Sequence, residues 1–171
     1  MPVELPDPCA LLLTGLPGTG KSAFANHLQS SRGFVHFDLE KDRTLWPDSS
    51  LHEVWESSRP HFVAAARNLF PRLVLNWGFP PNCLPMVDEI DAAGVPVVWF
   101  TGPAGFAKNR FMQREGITSD AAARFDYQLL RIACAGLPAI RPHWRVVDVF
   151  RRDGSFQDND FLERSAFRYA R

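Results

Sequence analysis

The chain has 171 residues, 46% hydrophobic and 22% charged, with 19 Lys and Arg balancing 19 Asp and Glu. A chain of this size buries roughly two-thirds of the surface its unfolded form exposes, so it needs neither disulfides nor a structural metal, and one compact domain over residues 1–171 is expected. Zero formal net charge argues against a protein that binds by neutralising many nucleic-acid phosphates or anionic lipids.

Cys9, Cys83 and Cys134 are far apart, odd in number and without metal-ligand spacing, which fits a reducing, cytoplasmic setting. Residues 1–8 carry two acids and three prolines, unlike the basic start of a signal peptide. No run approaches the roughly 20 apolar residues of a membrane-spanning helix, so no membrane partner is expected. The composition leaves the oligomeric state open.

In chain order, strands and helices alternate. Residues 9–13 form a short apolar run before Thr14 and a glycine-rich turn, as in a strand buried on both faces. A helix is predicted over 21–31, with Ala23, Phe24, Ala25 and Leu28 at helical spacings and Gly33 at its end. A second strand over 34–37 ends at Asp38, and 39–50 reads as a loop. Residues 51–58 and 60–70 form either one interrupted helix or two, since proline fits best in a first turn.

A third strand covers 72–75, an irregular link 76–81, a helix 84–93 and a buried strand 95–100. Residues 102–118 hold three glycines, Pro103 and the cations Lys108, Arg110 and Arg114; too long for a minimal connection, they are expected to form a lid. Ser119 or Asp120 caps a helix reaching 135, a fifth strand spans 144–150, and a last helix spans 160–170. This alternation predicts an α/β three-layer sandwich: a mostly parallel sheet with helices on both faces, binding ligands beyond the carboxyl ends of its strands.

At that edge Gly15-Leu16-Pro17-Gly18-Thr19-Gly20-Lys21-Ser22 matches G-x-x-x-x-G-K-[ST] between a strand and a helix. The glycines let successive N–H groups turn toward phosphate oxygens, and the helix start adds partial positive charge. Lys21 is positioned to reach the β- and γ-phosphates, and the Ser22 hydroxyl to ligate Mg²⁺. This is a nucleoside triphosphate site. No N-K-x-D guanine reader is present, which favours ATP.

Together with Phe37-Asp38-Leu39-Glu40, the arginine-bearing segment 108–114 and the overall length, this motif resembles the small P-loop kinases of metabolites. That group includes shikimate kinase, gluconate kinase and chloramphenicol phosphotransferase, with zeta-toxin kinases as more distant relatives. The resemblance implies a five-stranded sheet of order 2-3-1-4-5 and an acid after the second strand near the transferred phosphoryl group and the acceptor hydroxyl. Asp38 is carried over as the acceptor-orienting base and a second Mg²⁺ ligand, and Glu40 either as a substrate contact or as a partner of Asp38 beside Mg²⁺.

Phosphoryl transfer needs an in-line hydroxyl and compensation of the moving charge. Lys21, Arg110 and Arg114 are the cations expected to supply that compensation, the two arginines being four apart and on one face if their segment is helical. The third strand ends in Asn76 rather than an acid, and Asn76 either orients water or substrate or simply serves its loop. Trp46, Trp55 and Trp77, with His52, Arg59 and Arg67, either line an acceptor pocket or pack in the core.

The expected function is ATP- and Mg²⁺-dependent transfer of the γ-phosphoryl group to a hydroxyl of a small molecule. The competing readings are a nucleotide-binding regulatory module without turnover and a polynucleotide or zeta-toxin-like kinase, although the balanced charge argues against a nucleic-acid partner.

Overall fold

The computed structural model describes residues 9–168, so the expectations for residues 1–8, and for 169 and 170 at the end of the last helix, lie outside the described residues. Strands β1 (Ala10–Gly15), β2 (Val35–Asp38), β3 (Leu73–Asn76), β4 (Val97–Thr101) and β5 (Arg145–Asp148) form one sheet of order β2-β3-β1-β4-β5. Every pairing is parallel. The order is the predicted one, and it places the carboxyl ends of β1, β2, β3 and β4 side by side.

The helices are α1 (Lys21–Arg32), α2 (Leu51–Ser57), α3 (Arg59–Leu69), α4 (Leu84–Ala92), α5 (Ala104–Glu115), α6 (Ser119–Cys134) and α7 (Asn159–Phe167). Successive residues of a strand point to opposite faces, so β1 feeds two cores. Leu11 and Leu13 pack with Phe24, Leu28 and Phe100 on one side. Leu12 packs with Trp55, Phe62 and Trp99 on the other. All six residues of β1 are buried, which explains its uninterrupted apolar run.

Several local expectations change. Residues 51–70 form two helices: the Ser58 side chain accepts the His61 N–H, and Pro60 sits in the first turn of α3, where its missing N–H costs nothing. The segment 102–118, expected as a lid, contains α5, and α6 is capped by Thr118 rather than Ser119 or Asp120. β3 lies one residue later than predicted, which makes Asn76 its last residue. β5 is shorter than expected, and Phe150 instead forms an isolated antiparallel bridge with Phe156.

Candidate active site

The turn from β1 into α1 bends through three glycines with positive φ: Gly15 at 122°, Gly18 at 76° and Gly20 at 77°. A Cβ on Gly15 would lie 2.1 Å from the Phe100 carbonyl oxygen, and one on Gly18 2.1 Å from that of Ala107. Glycine is therefore required here both by backbone conformation and by the close approach of β4 and α5. The Thr19 hydroxyl donates to the Leu16 carbonyl at 2.7 Å, closing the turn from within.

Lys21, the first residue of α1, folds back over the turn and donates from Nζ to the Leu16 carbonyl at 2.8 Å. Burial pulls its ammonium down from 10.5 to about 8; Glu40 opposes this fall and Arg114 adds to it. Such a cation is poised to gain from an arriving anion. Ser22 next to it accepts a hydrogen bond from the Asn76 side-chain amide at 2.8 Å. Asn76 is 2% exposed, so this strand-end amide belongs to the site rather than to a solvated loop.

Asp38 stands in register with Asn76 at the carboxyl end of β2. Its carboxylate accepts the Glu40 N–H at 3.2 Å and pairs with Lys41 at 3.5 Å. Glu40 reaches further, and its Oε1 accepts the Gly78 N–H at 2.7 Å across the gap between the β2 and β3 loops. A cavity of about 620 Å³ opens between this edge and α6; Glu40 lines it together with Gly15, Lys21, Ser22 and Asn76, whereas Asp38 does not.

The cations of 108–114 separate. Arg114 lines the cavity. Arg110 instead lies 5.0 Å over the Phe156 ring, which itself abuts Gly20. Lys108 is held by both oxygens of Asp126 at 2.8 and 2.7 Å and ties α5 to α6. Arg110 and Arg114 are four apart on α5 and share a face, but Arg110 packs over Phe156 and does not line the cavity. Trp46, Trp55 and Trp77 are buried at 6%, 2% and 9% exposure in the core beneath the site and do not line the cavity. Arg59 pairs with Glu89, His52 with Glu56, and Arg67 donates to the carbonyls of Ala93 and Gly94.

Sequence reasoning passed over the opposite wall. Arg124, Tyr127, Gln128 and Arg131 of α6 all line the cavity, with Phe79 and Trp99 from the sheet edge. The signal was available as a spacing: positions three, four and seven apart on a helix share one face, and here that face is polar and cationic. Arg131 donates to the Asn82 side-chain oxygen at 3.2 Å and lies 5.7 Å over the Tyr127 ring, with no acidic partner among the described residues. Four cations, Lys21, Arg114, Arg124 and Arg131, thus face two carboxylates, Glu40 and Glu115.

No protein-family model matches the sequence, and no curated protein matches it either. Solved structures do resemble it. A gluconokinase from Sinorhizobium meliloti 1021 aligns over 95% of this chain and 91% of its own at 17% identity, with a TM-score of 0.57. A shikimate kinase from Bacteroides thetaiotaomicron covers 92% and 93% at 14% identity, with a TM-score of 0.54. A sugar kinase from Janibacter sp. HTCC2649 covers 92% of each chain at 18% identity, with a TM-score of 0.56. The chain therefore has the fold of the P-loop small-molecule kinases, a five-stranded parallel sheet of order 2-3-1-4-5 wrapped by helices.

Proposed function

We propose that the protein is an ATP- and Mg²⁺-dependent kinase that transfers the γ-phosphoryl group to a hydroxyl of a small molecule. One observation carries this reading: the glycine turn of 15–22 opens into the same 620 Å³ cavity as the Glu40 carboxylate, with room for an acceptor between that edge and α6. The turn and Lys21 hold the triphosphate, and Arg114 compensates charge on the moving group. Arg110, stacked on Phe156 beside Gly20, serves the nucleoside end.

Of the two acids after β2, Glu40 faces the cavity and takes the acceptor. The acceptor oxygen forms its bond to the γ-phosphorus as the bond to the bridging oxygen breaks, ADP leaves, and the hydroxyl proton passes to the carboxylate. The Ser22 hydroxyl, which lines the cavity, would supply a hard oxygen donor that suits Mg²⁺, whereas Asp38, outside that lining, would have to leave Lys41 to join it. Bound there, the ion neutralises phosphate charge. Arg131, which lines the cavity with Phe79, Trp99, Tyr127 and Gln128 and has no acidic partner among the described residues, favours an acceptor that carries a carboxylate or another anionic group beside its hydroxyl.

The test is incubation with γ-labelled ATP, Mg²⁺ and pools of sugar acids, neutral sugars, polyols, nucleosides and aminocyclitols. A labelled product appears, strongest in the anionic pools. Lys21→Ala loses nucleotide binding and transfer together, whereas Glu40→Gln keeps binding and loses transfer. Triphosphate binding without any acceptor-dependent product assigns the protein to the regulatory class, and full transfer by Glu40→Gln removes the acceptor role of that residue.

A further inference from the structure

The mouth of the cavity contains a carboxylate that the transfer chemistry does not use. Glu115, the last residue of α5, accepts the Arg114 Nε–H through Oε1 at 2.8 Å and pairs through Oε2 with Arg124 Nη1 of α6 at 3.7 Å. One carboxyl group thus divides its two oxygens between guanidinium groups on two different helices, and all three side chains line the cavity. Gly116, with φ 106°, turns the chain between those helices and sets Glu115 at the corner. Both guanidinium groups also lie over the Phe111 ring, at 5.4 and 5.9 Å, a contact that engages the charge and leaves the N–H donors able to change partner.

We infer that Glu115 is an internal rival of the ligand's phosphates: it holds Arg114 and Arg124 when the cavity contains no anion and yields them to a polyphosphate. This inference rests on the nucleotide-binding reading above. A guanidinium group bonds carboxylate and phosphate oxygens by the same geometry, so the two anions compete for the same donors. The pairs are largely solvent-exposed, with side-chain exposures of 61% for Arg114, 30% for Glu115 and 56% for Arg124, so each is weak enough to exchange. The carboxylate therefore subtracts from the affinity of every phosphate-bearing ligand and regains the arginines after transfer, which assists departure of the diphosphate.

The opposite view, that Glu115 merely positions the arginines for the ligand, predicts the opposite sign. The test is calorimetric titration of the full chain and of Glu115→Gln at low salt with a non-hydrolysable ATP analogue and with adenosine. Competition predicts that Glu115→Gln binds the analogue about two- to fivefold more tightly, the range that exposed ion pairs supply, while adenosine affinity stays unchanged. The gain disappears when Arg114→Gln and Arg124→Gln are already present, since nothing is then left to compete for. Weaker or unchanged binding of the analogue by Glu115→Gln overturns the inference while leaving the kinase reading intact. Failure of the unaltered protein to bind the analogue removes both.

Discussion

Lys21 holds its charge against an environment that opposes it, and this gives nucleotide binding a defined dependence on pH. Burial sets its pKa at about 8 in the ligand-free protein. A triphosphate favours the ammonium form, so the pKa is higher in the complex. Below pH 8 the lysine is protonated in both states and affinity does not change through this group. Above it, binding must take up a proton, and affinity falls as pH rises, by up to about tenfold per pH unit, until the pKa of the complex is reached. Calorimetry between about pH 7 and pH 9.5, in buffers of different ionisation heat, measures both the fall and the proton taken up; an affinity that stays constant over that range would show that Lys21 does not set it. The sequence named Lys21 from its motif alone, but its depressed pKa comes from burial, which Arg114 of α5 reinforces and Glu40, two residues past the end of β2, opposes.

At the scale of elements, the site is a set of strand ends, and its precision comes from how neighbouring loops meet. Glu40 is held by the Gly78 N–H, and a Cβ on Gly78 would lie 2.4 Å from the Glu40 carboxylate oxygen. The φ of Gly78 is outside the left-handed region, so alanine suits the backbone and only displaces the carboxylate. Gly78→Ala is therefore expected to lower kcat by about a hundredfold, the usual cost of roughly 1 Å of misplacement, while nucleotide KM stays within about twofold. Steady-state kinetics decide it, and an unchanged kcat would show that Glu40 does not act from this position.

The same scale explains what sequence patterns missed. Segment 102–118 carries enough glycine and proline to read as a loop, yet Phe106, Ala107 and Phe111 pack against the β1, β4 and α6 core and make most of it helix. Tertiary burial overrode local composition, as it commonly does where propensity is weak. Arg110 and Arg114, grouped by their spacing, then diverge because the ring of Phe156 captures one of them.

For the molecule as a whole, the floor beneath the site is an aromatic core rather than an acceptor pocket. Phe62 is fully buried and meets Phe37 at 5.7 Å and Trp55 at 5.2 Å, both edge to face, with Trp46 at 5.6 Å. Phe62→Ala leaves a cavity in this cluster and is expected to cost about 3–5 kcal/mol. That loss corresponds to a fall in Tm of roughly 6–20 °C for a chain of this length. Denaturant and thermal unfolding measure the cost, and nucleotide affinity well below the melting temperature is unaffected because Phe62 does not line the cavity. A loss under about 1 kcal/mol would show that the cluster repacks around the gap.

The order of strands came from the resemblance to the small P-loop kinases, whereas the alternation of strands and helices, the glycine turn with Lys21 and Ser22, and the two acids at the end of β2 were all legible in the sequence. Each is encoded locally, by an apolar run, a fixed spacing or an adjacent pair, and parallel right-handed connections leave few ways to assemble such units. Which acid faces the cavity, which arginine reaches it, and the contribution of α6 were decided only when the chain closed. Those properties depend on the direction of a side chain relative to residues far away in sequence, as Glu40 depends on Gly78 and Arg124 on Glu115. No local periodicity carries that information, because packing against a distant partner selects one rotamer and one helix face from several that the sequence permits.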